Sequence, residues 1–220
     1  MNDPLPSLRR EYCVKLAASF LAEMDVTSFT LRPADLIRAK GWALKTYDWL
    51  AGLRGVRDPF AVMDMRKEVF LSEDAMVARQ GGRYLIVYDE RARPHGRVNF
   101  SLMHEVGHVA LGHLDSLPGG ALRHSGLPEA EMRTLDREAD CFASNTLAPA
   151  ILAARFHARL SPAECARLFR VSMRAWETRL AFLAWDCACM ADDDKEAQKS
   201  RFMGFILRVE REREACLPPG

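Results

Sequence analysis

Apolar side chains recur at helical spacing near both ends of this chain. A helix is predicted over 7–24, because one face of it carries apolar residues at positions 8, 12, 16, 20 and 21. The same period, with Pro, Ser and Gly as start and stop signals, predicts further helices at 33–41, 46–53, 101–114, 129–147, 150–159, 162–170, 173–189 and 200–215. Most of the chain is therefore predicted to be helical.

Between residues 60 and 100 the pattern changes to short apolar runs separated by turn residues. These runs lie at 60–63, 69–71 and 84–88, the last of them after two consecutive glycines. Sequential strands joined by short turns favour antiparallel pairing. The predicted fold class is α+β: a small antiparallel three-stranded sheet packed on a helical core, with a helical C-terminal segment.

A length of 220 residues fits one domain with a short appendage. We assign residues 1–190 to this domain, which contains in order N-terminal helices at 7–53, the sheet at 60–100, a helix pair at 101–148 and C-terminal helices at 150–190. The acidic run at 192–194 is typical of a solvated linker. Residues 191–220 are therefore predicted to form a linker and an amphipathic C-terminal helix.

Composition excludes several classes of protein. The 31 Lys and Arg balance the 30 Asp and Glu, so no overall field attracts nucleic acid or an anionic membrane. No run approaches the roughly 18 apolar residues that span a bilayer. The N-terminal segment lacks a basic stretch followed by an apolar run, and the six cysteines include no CxxC pair. We expect a cytoplasmic protein, with no membrane partner and with free thiols.

The predicted helix at 101–114 carries the residues with clear chemistry. His104 and His108 are one helical turn apart, so both imidazoles point the same way at a spacing that one metal ion can bridge. Glu105 is rotated by about 100° from His104, which puts its carboxylate beside a metal-activated water rather than among the ligands. We therefore expect Zn²⁺ on the two histidines, with Glu105 as the catalytic general base.

A catalytic zinc keeps three protein ligands, and the third is expected from the helix at 129–147. The extended motif with a third histidine is excluded, since Leu111 and Leu114 occupy the positions that need Gly and His. Asp136 and Asp140 are one turn apart on a shared face. Either can bind the metal while the other accepts the N–H of a ligand histidine.

Three more histidines flank this region. His113 lies about 140° round the helix from His108, so we interpret it as a cation near the helix end rather than a ligand. His95 and His124 lie in predicted loops on either side of the metal-binding helix. Either of these two is a candidate for polarising the oxyanion of a transition state.

Two segments resemble motifs of a known family, the ImmA/IrrE family of zinc metallo-endopeptidases. RVNFSLMHEVGH at 97–108, followed by LGH at 111–113, is similar to the core motif. DREADCFA at 136–143, leading to LAP at 147–149, is similar to the second motif. The resemblance implies a zincin-type helical core around the HExxH active-site helix.

The resemblance also implies a ligand set. The family's third zinc ligand is the first residue of the second motif, which is Asp136 here where the family usually has Glu. Aspartate has one methylene less reach, so its helix must lie slightly closer to the metal. The family has Asn or Asp four residues on, which is Asp140 here, and we assign Asp140 as the acceptor for the N–H of a ligand histidine. Glu138 is the alternative third ligand.

The activity implied by the resemblance is limited proteolysis of a helix-turn-helix transcriptional repressor, of the type encoded on mobile elements or prophages. The residues by themselves indicate zinc-dependent hydrolysis of a peptide-like bond. We expect an extended substrate to pair with the strand at 84–88 by edge addition, a common arrangement for cutting flexible segments.

The segment 161–180 supports a competing hypothesis because it resembles a helix-turn-helix. Ala166 is small, Ser172 is suited to cap the second helix, and residues 155–180 contain six Arg against two Glu. The alternative function is a metallopeptidase-like regulator that binds DNA or a repressor through this segment. A non-catalytic sensor is a third class, which the presence of Glu105 disfavours.

Overall fold

The computed structural model describes residues 8–29, 32–53, 55, 74–80, 82–115 and 127–215. Most of them lie in helices, and three short strands form one sheet. The elements in chain order are α1 (Arg10–Glu23), α2 (Pro33–Ala39), β1 (Ala43–Thr46), α3 (Tyr47–Leu53), β2 (Ala75–Gln80), β3 (Arg83–Tyr88), α4 (His95–Ala110), α5 (Glu129–Leu147), α6 (Ala150–His157), α7 (Pro162–Leu168), α8 (Met173–Ala188), α9 (Asp192–Arg201) and α10 (Met203–Ala215). None of these helices is long and apolar enough to cross a membrane.

The sheet is mixed, with the strand order β1-β3-β2. Strand β3 confirms the predicted strand at 84–88; it pairs antiparallel with β2 and parallel with β1, where Ala43 lies opposite Leu85. The sheet is therefore mixed rather than antiparallel throughout as predicted, and neither β1 nor β2 lies in a segment that was predicted to be a strand. Strand β1 has only four residues, and the long connection that contains α3 allows a parallel return. The predicted strands at 60–63 and 69–71 lie outside the described residues.

The central position of β3 also corrects the predicted mode of substrate binding. Both sides of this strand are occupied by β1 and β2, so an extended peptide has no edge to join there. Among the described strands, the edges belong to β1 and β2. Strand β2 is the one tied to α4, because Asp74, just before β2, accepts hydrogen bonds from Arg97 and Ser101.

Helices α4 and α5 pack closely because Gly107 faces α5. A Cβ atom at Gly107 would lie 3.0 Å from the backbone oxygen of Ala139 and 3.2 Å from Cδ1 of Phe142. Only glycine allows this approach without a shift of one helix. The ring of Phe142 also meets Phe20 of α1, with ring centroids 5.5 Å apart. The contact between α4 and α5 sets the distance between the histidines of one helix and the carboxylates of the other.

The C-terminal helices complete the same core. Phe29 lies at the centre of a ring cluster, with centroid distances of 5.4 Å to Phe169, 4.9 Å to Phe202 and 5.4 Å to Phe205. The acidic run at 192–194, which the sequence analysis assigned to a linker, forms the first turn of helix α9 (Asp192–Arg201). Acidic side chains at a helix start are favoured by the helix dipole. From this C-terminal region, Phe202, Phe205, Ile206 and Val209 are buried in the same hydrophobic core.

Candidate metal centre

Three side chains from two helices converge on one point. Ligand atoms of His104, His108 and Asp136 all lie within 4.8 Å of one another. The Nε2 atoms of the two histidines are 2.9 Å apart, and Oδ1 of Asp136 is 3.5 Å from Nε2 of His108 and 3.9 Å from Nε2 of His104. The structure thus brings together the three residues predicted as ligands.

The donor set and its spacing fit a divalent ion such as zinc. Two nitrogens bound to one tetrahedral zinc at about 2.0–2.1 Å lie roughly 3.3 Å apart, which is within the range spanned by these three distances. Two imidazoles and a carboxylate are a common set of ligands for catalytic zinc. The side chain of Asp136 is 44% exposed, whereas that of His108 is 3% exposed. The cluster therefore opens to solvent on the carboxylate side.

The two histidines have different proton affinities. Burial lowers the pKa of His108 to about 3, a shift that the charges of His104 and His113 reinforce and Asp136 only partly opposes. Burial also lowers the pKa of His104, but the hydrogen bond and charge of Asp140 outweigh it and leave this pKa raised. His108 is therefore a neutral imidazole at physiological pH, the form that binds metals.

Asp140 lies behind His104, as expected for a residue that orients a ligand. Its Oδ1 is 2.8 Å from Nδ1 of His104. An ionised carboxylate only accepts hydrogen bonds, so Nδ1 carries a proton, and in the neutral imidazole that binds metals the lone pair is then on Nε2. The free lone pair faces His108 and Asp136.

His113 is not the helix-end cation that the sequence predicted. It is buried, its Nδ1 lies 2.9 Å from Nδ1 of His108, and burial lowers its pKa. The prediction failed because α4 ends at Ala110 and Gly112 adopts a φ of +73°. The N–H of His113 bonds back to the carbonyl of His108, a Schellman ending that folds His113 over the last turn. A glycine just after a helix was the signal that could have revealed this.

Glu138, the alternative third ligand, lies outside the three-residue cluster. Its Oε1 accepts hydrogen bonds from the backbone N–H of Arg9 at 3.0 Å and from Nε of Arg9 at 2.9 Å. Its Oε2 contacts Nη2 of Arg9 at 2.5 Å and Nε2 of His113 at 3.1 Å. Burial raises the pKa of Glu138, but these hydrogen bonds outweigh burial and keep the pKa lowered.

The remaining residues singled out from the sequence are Glu105, His95 and His124. Glu105 is buried on α4 beside His104, and its charge contributes to the raised pKa of that histidine. His95 is the first residue of α4, nine residues before His104 and thus roughly 13 Å away along the helix axis. That distance does not fit the predicted oxyanion role. His124 lies outside the described residues.

A cavity of about 560 Å³ opens beside the cluster. Asp140 and Ser101 line it on the side of the metal-binding helices. Its wall also carries Arg97, Arg137 and Arg174. The cavity is large enough for part of a peptide chain, and Asp140, which contacts His104, lies in its wall.

The sequence of the chain places this arrangement in a family. The family model for the IrrE N-terminal-like domain, peptidase family M78, matches residues 51–181, more than half of the chain. The matched range contains helices α4 and α5 and the cavity wall from Asp74 to Thr178. A comparison with curated proteins finds no match for this chain. The protein belongs to the ImmA/IrrE family of metallopeptidase-like proteins, as the resemblance of its two motifs indicated.

Proposed function

We propose that this protein is a zinc-dependent endopeptidase. The observation that carries the proposal is the convergence of His104, His108 and Asp136 within 4.8 Å, beside the buried carboxylate of Glu105. Membership of a metallopeptidase family supports a metal-dependent activity on a protein substrate. In this proposal the three clustered side chains hold the zinc, and Asp140 orients His104.

Zinc, when bound, supplies Lewis acidity that activates water and polarises the scissile carbonyl. The carboxylate of Glu105 accepts a proton as the water oxygen forms a bond with the carbonyl carbon. The same carboxylate then donates this proton to the amide nitrogen as the C–N bond breaks. The products are a carboxylic acid and an amine, and Glu105 returns to its starting state.

We further propose that the substrate is a helix-turn-helix transcriptional repressor. The family resemblance supports this choice, and the cavity beside Asp140 offers space for an extended segment. Strand β2 is the edge strand tied to α4, so the substrate backbone is expected to pair with β2 rather than with β3. Cleavage in a flexible segment of the repressor releases its target genes.

The test is incubation of the purified protein with a repressor encoded beside its gene, with the products identified by mass spectrometry. Cleavage at one site is expected, and a zinc chelator should abolish it. Glu105→Gln should remove activity while metal content, measured by elemental analysis, stays unchanged. Glu131→Gln, an exposed glutamate at the start of α5, is the matched control and should cleave normally. Equal cleavage by Glu105→Gln would overturn the proposed mechanism.

A further inference from the structure

The side chains of Arg9, Glu138 and His113 form a line that leads from the N-terminal segment to Nδ1 of His108. Arg9 holds both carboxylate oxygens of Glu138, Glu138 meets Nε2 of His113, and Nδ1 of His113 meets Nδ1 of His108. The last two contacts are 3.1 and 2.9 Å long. The line approaches His108 on the ring nitrogen opposite to the one that faces His104 and Asp136.

With both histidines neutral, the groups on this line fit one order of protons. The carboxylate of Glu138 only accepts, so Nε2 of neutral His113 donates to it. The other nitrogen of His113, Nδ1, is then an acceptor for the Nδ1–H of His108. This leaves the lone pair of His108 on Nε2, in the cluster with His104 and Asp136. The line thus fixes the tautomer that a metal ligand needs.

The inner two residues of this line, Glu138 and His113, are buried. The side chains of Glu138 and His113 are each 2% exposed, and a buried carboxylate is costly unless it is paired. Arg9 satisfies that carboxylate with its backbone N–H and its guanidinium. Apolar residues would fill the same space at lower cost, so packing alone does not explain a buried ionic line that ends on His108.

We propose that Arg9, Glu138 and His113 are positioning residues that orient His108 and hold its proton on Nδ1. The inference rests on the proposed function, since it assumes that Nε2 of His108 binds zinc. Asp140 of α5 accepts a hydrogen bond from Nδ1 of His104. His113, which follows α4, accepts one from Nδ1 of His108. Each ligand histidine thus has its own acceptor.

The first test compares two substitutions of His113 in the full chain. His113→Leu removes the acceptor, and its zinc affinity, measured by chelator competition, is expected to fall 10–100-fold. His113→Asn places an amide oxygen where Nδ1 was and is expected to restore most of the affinity. The absorption spectrum of the cobalt-substituted protein should change in His113→Leu and remain close to wild type in His113→Asn.

Two further variants separate positioning from stability. Thr146→Val removes a buried hydroxyl that bonds the carbonyl of Phe142 on α5, so it should lower the melting temperature without changing zinc affinity. Arg9 is exposed, so Arg9→Ala is expected to fold and to show a severalfold loss of zinc affinity. This variant tests the line from its outer end, even where His113→Leu fails to fold.

The outcomes distinguish this inference from the proposed function. A wild-type protein that binds no zinc would overturn both. In a second outcome, the wild-type protein binds zinc while His113→Leu and Arg9→Ala keep its zinc affinity and its cobalt spectrum. That result would overturn the positioning role of Arg9, Glu138 and His113 and leave the proposed function intact. Equal losses in His113→Leu and His113→Asn would overturn the acceptor role assigned to His113.

Discussion

Nδ1 of His104 lies 2.8 Å from Oδ1 of Asp140, and this contact joins the two helices of the metal-binding cluster. Asp140 is one turn after Asp136 on α5, so the same helix face supplies the carboxylate of the candidate metal cluster and the carboxylate that contacts His104. In the neutral imidazole of His104, this contact places the proton on Nδ1 and leaves Nε2 as the nitrogen that can bind a metal. The orientation of His104 therefore depends on how closely α5 approaches α4.

Removal of the Asp140 carboxylate is expected to weaken metal binding without abolishing it. Asp140→Ala should lower zinc affinity 10–100-fold, because His104 loses the acceptor that holds its ring. Asp140→Asn keeps an oxygen acceptor and should lose less. Glu129→Ala removes an exposed carboxylate from the same helix and should bind zinc like wild type. Chelator competition measures all three, and unchanged affinity in Asp140→Ala would contradict the orienting role.

Substitutions in the second motif test whether Asp136 or Glu138 is the third zinc ligand. Asp136→Ala should abolish stable zinc binding, measured as metal content after dialysis, because only two protein ligands remain. Asp136→Glu, the residue usual in the family, should retain zinc. Glu138→Gln should still bind one zinc at saturation, since its carboxylate faces Arg9 and His113. Loss of zinc in Glu138→Gln with retention in Asp136→Ala would exchange their roles.

The sequence predicted the parts of the site that depend on regular helix geometry. His104 and His108 follow the one-turn spacing of α4, and Asp136 and Asp140 follow it on α5, so their shared faces could be derived. The structure shows these faces turned toward each other. That relation depends on Gly107, whose missing Cβ lets the two helices meet.

The features that the sequence analysis missed depend on where regular structure ends. His113 was placed by extending α4 past Ala110, whereas Gly112 reverses the chain. No sequence pattern indicated the contact of Arg9 with Glu138, because the two residues are 129 positions apart. Local signals were more reliable: the predicted cap at Ser172 is present, since its side chain accepts a hydrogen bond from the N–H of Ala175.

Alanine at Gly107 and alanine at Gly204 are expected to change stability in opposite directions, because only Gly107 lies in the close contact between α4 and α5. Gly107→Ala gains about 1 kcal/mol in helix propensity. Overpacking against the backbone of Ala139 costs about 1–3 kcal/mol, so we expect a net loss of stability and weaker zinc binding. Gly204→Ala meets nothing within 4 Å and should be neutral or stabilising by up to about 1 kcal/mol. Urea unfolding measures both, and equal stability of the two variants would contradict the packing argument.

The segment 161–180 is expected to serve the core rather than DNA. Trp176 is fully buried and stacks on Phe169 with ring centroids 5.5 Å apart, and the side chain of Asn99 on α4 donates to the carbonyl of Arg170 at 2.9 Å. Trp176→Ala should therefore cost about 3–5 kcal/mol of stability. The wild-type protein should cause no shift of duplex DNA in a gel at low salt, where phosphate contacts are strongest. A salt-dependent shift that Arg174→Glu abolishes would instead assign this segment to DNA binding, because Arg174 is exposed at the start of α8.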